Sequence, residues 1–369
     1  GNGPLRVQSL EPPGAGDAIP GRGMTSNSEA GEERLRTLIA KIEPVGDDLV
    51  EASEGRLEAR ARTRETVLPL RHIAARVSSI HQHEPPRLNR KLVLLCASDH
   101  GTGTGEDPLH DQWAGERVMA FLNSVAPVNN IARQVGARTR LLDVGVAGDI
   151  PSHPNLVPRK VAWGTAPMHR ASAMGRHQAS EVVLAGYDLF ADYYHHRAVD
   201  AVAVGSVATG DGPSATLVAA GLLGLDEKAL KGRKAIPVGE AGKRMRTALR
   251  ERTIDAEDPL GLLTEVGGFE IGAMAGIFMA AARYRTAAVV DSFPSAVAAL
   301  LARAFCPAVT GYLFASHTSD TPLHRAVLDE LGLIPLLGFN MEGGEAVGAT
   351  FSLGVMASCV AIWDQKAAP

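Results

Sequence analysis

The chain has 369 residues, of which 45% are hydrophobic and 21% charged, and its formal net charge is −4. This balance is typical of a globular protein with room for one large α/β domain or two smaller ones. Basic residues are scattered and aromatic residues make up only 5% of the chain, so no surface for binding nucleic acid is indicated. No apolar run reaches the roughly 18–20 residues of a membrane span. We therefore expect neither nucleic acid nor a membrane as a partner.

Composition divides the chain into four parts. Residues 1–30 are rich in Gly, Pro and Ser and have no hydrophobic period, which predicts a disordered leader. Residues 31–88 have mostly helical character, residues 89–348 form a large α/β domain, and residues 349–369 contain a last helix. Helices from the two ends are predicted to pack together as a small helical lobe beside the large domain.

Short apolar runs recur between residues 90 and 320, and each stops at a Gly, Asp or Ser. Such runs are typical of strands that are buried on both faces. The segments between them have helical length and spacing, and this alternation predicts a doubly wound, mostly parallel sheet flanked by helices. The predicted strands are 92–97, 140–145, 201–205, 287–291 and 311–316, and the predicted helices include 113–135, 173–194 and 269–284.

Polar residues follow several of these strands. Asp99 and His100 end the first strand, Asp291 ends a later one, and Ser316 follows the last. Because ligands bind outside the carboxyl ends of parallel strands, these side chains are expected along one functional edge. For Asp99 and His100, a role in catalysis and a role in capping the next element are equally compatible with the sequence.

The segment 205–214, GSVATGDGPS, directly follows a predicted strand. Its glycines could present backbone N–H groups to a phosphate, and Ser214 could open the next helix. Most loops of this kind are plain turns, and that alternative stays open. The chain has no GxxxxGK[ST], no GxGxxG between a strand and a helix, and no GxSxG. The common mononucleotide, dinucleotide and serine-hydrolase sites are therefore excluded.

Thiols and histidines give no sign of a metal. The cysteines have apolar neighbours and no CxxC spacing, which predicts buried, reduced thiols and a cytoplasmic protein. The close histidine pairs lack zinc-site spacing, so solvated side chains are predicted and neither a metal nor a cofactor is expected. These residues are Cys96, Cys306, Cys359, His81, His83, His195 and His196.

The segment 335–349, PLLGFNMEGGEAVGA, places Glu342 and Glu345 among glycines with apolar sequence on both sides. A carboxylate in a tight turn beside apolar walls can have a pKa near neutrality, which suits a general base. An ordinary surface loop with solvated glutamates is the alternative at this point.

Taken in order, several blocks resemble the nicotinate-nucleotide–dimethylbenzimidazole phosphoribosyltransferase family, whose members assemble the lower ligand of cobalamin. The most specific block joins 258–260 (DPL) to 266–276 (VGGFEIGAMAG). Further blocks are 98–101 (SDHG), 131–137 (IARQVGA), 142–146 (LDVGV), 164–168 (GTAPM), 174–179 (MGRHQA), 291–293 (DSF), 316–319 (SHTS) and 335–349.

The resemblance implies transfer of the phosphoribosyl group of nicotinate mononucleotide to a ring nitrogen of a benzimidazole or a related aromatic base. Nicotinate is released, and the anomeric configuration inverts from β to α. By position, Glu345 is the residue that takes the proton from the incoming base, in preference to Glu342. The family also implies a homodimer. The implied substrate-binding residues are Asp99, His100, Glu116, Gly205, Ser206, Gly210, Asp211, Ser214, Lys243, Asp291, Ser316 and Gly344.

The resemblance gives some of these residues particular roles. The loop 205–214 would hold the phosphate with help from Lys243, and Glu116 lies near the family's glutamine that faces the acceptor. Ser316 and Gly344 would contact the nicotinate or the ribose.

The phosphate loop departs from the family pattern. Ser206 replaces an acidic residue, Asp211 replaces an asparagine, and Gly212 and Pro213 replace two threonines. A carboxylate such as that of Asp211 repels a nearby phosphate. The sequence therefore leaves an alternative open: a non-catalytic homologue that binds a nucleotide or cobamide precursor, or the partner subunit of an active enzyme.

Overall fold

The computed structural model describes residues 24–60, 68–101, 113–342 and 344–361. Its six-stranded sheet has the order β3-β2-β1-β4-β5-β6, and every neighbouring pair of strands is parallel. The predicted α/β architecture is thereby confirmed. The strands are β1 Lys91–Asp99, β2 Ala137–Gly145, β3 Leu156–Pro158, β4 Ala201–Thr209, β5 Ala287–Val290 and β6 Leu313–Ala315.

Helices occupy most of the remaining described chain. They are α1 Met24–Ile39, α2 Asp47–Arg60, α3 Leu68–His81, α4 Gly115–Leu122, α5 Pro127–Gln134, α6 Arg176–His196, α7 Asp211–Leu222, α8 Glu227–Gly232, α9 Glu240–Glu251, α10 Pro259–Val266, α11 Phe269–Arg283, α12 Phe293–Phe305, α13 His324–Glu330 and α14 Val347–Val360, with a 3₁₀ helix at Pro307–Tyr312. None of the helices in the described ranges is both long and apolar enough to cross a membrane.

The core forms around the central strands. The apolar residues of β1 are completely buried, because helices contact the sheet along its length. Helix α11 is buried from end to end, packs on α6, and contacts β1 and β4. Helix α14 contacts α3 and α5 as well as β4 and β5. The three cysteines are buried and unbonded, as predicted.

Two predicted elements have different bounds in the structure, and one strand was not predicted. The single helix expected over 113–135 is two helices, because Pro127 opens α5 at its first turn and Ser124 has a positive φ of 62°. The strand expected over 311–316 is shorter, since a 3₁₀ helix that begins at Pro307 continues through Tyr312. The edge strand β3, only three residues long, was missed.

The predicted division of the chain into a leader, a small helical lobe and a large domain remains a prediction. Helix α1 begins at Met24, within the segment predicted as a leader, and residues 1–23 lie outside the described ranges. Among the described residues between 24 and 81 there are three helices, α1, α2 and α3. A separate small lobe made from both chain ends remains a prediction, since α14 contacts the sheet as well as α3.

Candidate active site

A pocket of about 240 Å³ opens at the carboxyl edge of the sheet. The strand order reverses between β1 and β4, and crevices at such a reversal are where parallel sheets bind ligands. The pocket lies beside the end of β4 and the first turns of α7 and α12. Its lining residues are Arg117, Ser206, Ala208, Asp211, Gly212, Ser292, Phe293, Pro294, Ser319, Thr321, Met341 and Gly344.

Asp291 ties the end of β5 to the loop that contains Glu345. Its carboxylate accepts the backbone N–H of Ala346 at 3.1 Å and that of Ala349 at 2.8 Å, and its residue is 1% exposed. Burial raises the pKa of Asp291 to about 7, although the backbone N–H groups oppose the rise. Because its oxygens hold this loop, Asp291 lies behind the pocket wall and not among the lining residues.

Two consecutive residues of this loop have left-handed backbone conformations. Glu345 has a φ of 64° and Ala346 a φ of 57°, a region that residues with a Cβ seldom occupy. The N–H of Glu345 donates to the carbonyl of Ser206 at 3.0 Å. Gly205 permits this approach, since a Cβ there would lie 2.5 Å from the backbone nitrogen of Ala346. Bonds from β4 and β5 thus hold a strained turn in place, as is common at functional sites.

The Glu345 side chain forms an ion pair at the edge of the pocket. Its Oε1 accepts the Nε–H of Arg117 at 2.7 Å, and Nη1 of the same arginine donates to the carbonyl of Ala208 at 3.1 Å. The Glu345 side chain is 20% exposed, whereas Glu342 is an exposed residue. The side chain of Glu342 is therefore solvated, as expected for an ordinary surface loop, whereas that of Glu345 is mostly buried.

Asp99 has a structural position. Its two carboxylate oxygens accept the N–H of Ala114 at 2.9 Å and the N–H of Ala147 at 2.8 Å. Burial raises the pKa of Asp99, and these two hydrogen bonds oppose the rise. Since both oxygens hold backbone groups, the geometry agrees with the capping role that the sequence left open.

His100 belongs to a buried group of charged residues. Its Nε2 lies 2.9 Å and 3.0 Å from the two oxygens of Glu270, and both side chains are fully buried. Burial lowers the pKa of His100, but the charge and hydrogen bond of Glu270, together with the charges of Asp211 and Asp99, raise it overall. Asp211 lines the pocket at the start of α7, and burial together with the charge of Glu270 raises its pKa to about 6.

The other residues predicted to bind substrate have different positions relative to the pocket. Ser206 and Gly344 line the pocket together with Asp211. Gly210 immediately precedes α7 with a φ of 77°. Residues with other contacts are Ser214, whose hydroxyl donates to the Val266 carbonyl at 2.7 Å, and Ser316, whose hydroxyl donates to the Asp291 carbonyl at 3.1 Å.

Two further predicted binding residues, Lys243 and Glu116, are exposed on helices and do not line the pocket. Lys243 has a side chain that is 69% exposed on α9 and pairs with Glu240 at 3.4 Å. Glu116 is exposed in the first turn of α4. The pocket shows neither residue where the resemblance implied it, because the helices that carry them present these side chains to solvent.

Sequence reasoning missed several residues at the pocket. Arg117 follows the predicted Glu116, and Ser292 follows the predicted Asp291, so only their neighbours gave a signal. The hydroxyl of Ser292 is buried and has no hydrogen-bond partner among the described residues. Glu270 carried a detectable signal, since it is the only acidic residue of the apolar helix α11. The described ranges contain no group of three residues able to hold a metal ion.

Comparison with known proteins identifies the class. A family model described as phosphoribosyltransferase matches residues 42–368, so the chain is a phosphoribosyltransferase by fold and family. The nicotinate-nucleotide–dimethylbenzimidazole phosphoribosyltransferase of Roseiflexus sp. (strain RS-1) is 34% identical over 339 residues, which cover 90% of this chain and 96% of the relative. The enzyme of the same name from Desulforudis audaxviator has the same identity and coverage, 34%, 90% and 96%.

The chain belongs to the nicotinate-nucleotide–dimethylbenzimidazole phosphoribosyltransferase family. A crystal structure of the enzyme of that name from Thermus thermophilus has a TM-score of 0.78 and 30% sequence identity, and covers 87% of this chain and 96% of its own. The family resemblance seen in the sequence is thus confirmed over nearly the whole chain.

Proposed function

We propose that this protein transfers the phosphoribosyl group of nicotinate mononucleotide to 5,6-dimethylbenzimidazole or a related base. The bond between the anomeric carbon and the nicotinate nitrogen breaks, and a bond to a ring nitrogen of the acceptor forms on the opposite face. Nicotinate leaves, and the product is an α-riboside phosphate of the kind used in cobalamin lower-ligand assembly. The names and similarity of the relatives support this reaction.

One observation carries the proposal: the Glu345 carboxylate pairs with Arg117, which lines the pocket, and the turn that carries it is held by backbone hydrogen bonds. The N–H of Glu345 is bound to Ser206, and the next residue is bound to Asp291. A general base must lie within hydrogen-bond reach of the proton it removes, and a fixed backbone provides that reach. In our proposal Glu345 accepts the ring N–H proton that the acceptor loses as its other nitrogen attacks.

The part of the pocket lining at the start of α7 favours an anionic donor. Helix α7 begins there, with Asp211 and Gly212 in the lining, and the N-terminus of a helix favours negative charge. Pro213 has no N–H to contribute. Asp211 would repel a phosphate when ionised, but its pKa of about 6 favours the neutral acid under mildly acidic conditions. Displacement of nicotinate then depends on positioning and electrostatics and needs no covalent intermediate.

The non-catalytic alternative is not favoured. The departures from the family pattern lie in the phosphate loop, while the turn around Glu345 keeps its contacts with β4 and β5. A homodimer and a cytoplasmic location belong to the same proposal, and both rest on the family resemblance and the reduced thiols.

The test is nicotinate release from nicotinate mononucleotide, measured with and without dimethylbenzimidazole, adenine or a phenol. We expect release that depends on the acceptor and that falls about 100-fold in Glu345→Gln, since general-base catalysis contributes roughly 10²–10⁴-fold. Glu342→Gln, in the same loop but exposed, is the matched control and should retain normal turnover. Release that is independent of any acceptor, or equal in Glu345→Gln and the wild type, contradicts the proposal.

A further inference from the structure

Arg117 is the one positively charged residue among the described residues that line the pocket. Its side chain is 44% exposed, so it is within reach of a ligand. Lys243, the cation that the family resemblance implied for the phosphate, is instead paired with Glu240 on the exposed side of α9. An anionic donor in this pocket would therefore meet the Arg117 guanidinium first.

The guanidinium of Arg117 lies between two parts of the site. Its Nε holds the Glu345 carboxylate at 2.7 Å, and its Nη1 holds the Ala208 carbonyl, near the end of β4. Its charge also acts on Asp211 at the start of α7, where it lowers the pKa against the larger effect of burial. Among the described residues, Nη2 has no hydrogen-bond acceptor, so one face of the fork remains available to a ligand oxygen.

The two members of this ion pair differ in how their backbone is held and in their exposure: the Arg117 side chain is 44% exposed and that of Glu345 is 20% exposed. The Glu345 backbone is held by Ser206, and Ala346 is held by Asp291. Arg117 extends from the first turn of α4 on a long flexible side chain. A partly exposed arginine–carboxylate pair is worth only about 1 kcal/mol or less. A phosphate binds a guanidinium through two parallel hydrogen bonds and carries more charge, so it competes well for the same group.

We propose that Arg117 binds the phosphate of the donor and, in doing so, releases the Glu345 carboxylate for its role as the base. Oε1 of Glu345 accepts a charged hydrogen bond from Arg117, and this ion pair fixes the direction of the carboxylate. Donor binding draws the guanidinium away and leaves the carboxylate free to turn towards the ring N–H of the acceptor, so that the base is in place when the phosphoribosyl group is present. The inference rests on the proposed function, and it assigns the donor's anionic group to a residue that the family pattern did not indicate.

The test is a binding experiment on the full chain, by calorimetry with nicotinate mononucleotide and with nicotinate riboside, which lacks the phosphate. Arg117→Met should weaken binding of the mononucleotide about 10- to 100-fold, as expected for a lost charged hydrogen bond, and leave riboside binding within about twofold. Arg117→Lys should recover part of the loss. Arg325→Met, which removes an exposed arginine paired with Asp329 on α13, is the matched control and should bind both ligands normally.

A double-mutant cycle separates release of Glu345 from simple charge repulsion. Glu345→Gln removes the competitor for Arg117, so it should tighten mononucleotide binding about three- to tenfold while Arg117 is present and have no effect in the Arg117→Met background. Equal tightening in both backgrounds would mean that Glu345 only repels the phosphate, and it would overturn the inference. Equal weakening of both ligands by Arg117→Met would overturn it too.

Turnover of the wild type is measured in parallel, so that the two proposals fail separately. Nicotinate release without coupling between Arg117 and Glu345 leaves the proposed function standing and removes the role of Arg117. Mononucleotide binding that shows coupling between Arg117 and Glu345, without nicotinate release, supports the role of Arg117 and contradicts the proposed transfer reaction. Absence of mononucleotide binding to the wild type contradicts both.

Discussion

The carboxylate of Asp291 holds the backbone N–H of Ala346 at 3.1 Å. This bond joins the end of β5 to the turn that presents Glu345, across 55 positions of the chain. A second bond from Asp291, to Ala349 at 2.8 Å, fixes the first turn of α14. One buried side chain therefore holds both the turn that carries Glu345 and the start of the helix after it.

Replacement of Asp291 should loosen this turn. In Asp291→Asn one of the two oxygens becomes an NH₂ group, which faces a backbone N–H and cannot accept from it. We expect a loss of about 1–3 kcal/mol in the free energy of unfolding and a fall in nicotinate release of at least about tenfold. Urea denaturation and turnover assays measure the two effects. The exposed Asp149→Asn should change neither, and an unimpaired Asp291→Asn would show that the turn is held by other contacts.

Gly205→Ala tests the close approach of β4 to the turn. The added Cβ would lie 2.5 Å from the backbone nitrogen of Ala346, so the backbone on one side must shift. Overpacking of this kind costs about 1–3 kcal/mol, and activity should fall because Glu345 is displaced. Gly338→Ala is the matched control, since a Cβ there has nothing within 4 Å. If Gly205→Ala is as stable and active as the control, the approach does not constrain the site.

The raised pKa of Asp211 predicts that the free energy of unfolding depends on pH. Its pKa is raised in the folded protein to about 6 from the usual 3.8, so the folded state binds its proton more tightly than the unfolded state. That contribution is fully present below pH 3.8 and is lost as the pH rises through about 6.

We therefore expect Asp211→Asn to be more stable than the wild type at pH 8 by about 1 kcal/mol, with a smaller difference at pH 5. Urea denaturation at the two pH values measures this. A difference that is the same at pH 5 and pH 8 would show that ionisation of Asp211 is not involved.

The buried pair of His100 and Glu270 predicts a second pH effect. The pKa of His100 is raised above 6.5, so the stability that this pair contributes is present below pH 6.5 and is lost as the pH rises through the folded value. Glu270→Gln should cost about 2–4 kcal/mol in the free energy of unfolding near pH 6, and less near pH 9.

A matched pair on the surface controls for the loss of one carboxylate. Glu181 lies 3.4 Å from His177 on α6, and both side chains are largely exposed. Glu181→Gln should change the free energy of unfolding by less than about 1 kcal/mol at either pH. An equally small effect of Glu270→Gln would contradict the importance of the buried pair.

Most strands of the sheet could be predicted from the sequence. The runs 92–97 and 201–205 are apolar at every position, since helices cover both faces of the central strands, and both runs lie inside β1 and β4. The short strand β3 was not readable, because an edge strand of three residues is only half-buried and needs no apolar run.

Some residues of the candidate site could be predicted only from sequence motifs. The prediction of Glu345 as the base depends on its place in the segment 335–349, and the structure places its side chain at 20% exposure. Lys243 was assigned in the same way and lies outside the pocket lining, because the exposed face of α9 carries it away. A motif records the order of residues, and the orientation of a side chain depends on how its helix packs.

The sequence by itself determined the class of fold and the family, since both depend on local patterns of burial and on ordered motifs. The tertiary structure alone decided which groups meet. Arg117 and Glu345 are 228 positions apart, and Asp99 holds the amides of Ala114 and Ala147 from two separate segments. Ion pairs and hydrogen bonds act over a few ångströms, so only the packing of the whole chain determines which residues they join.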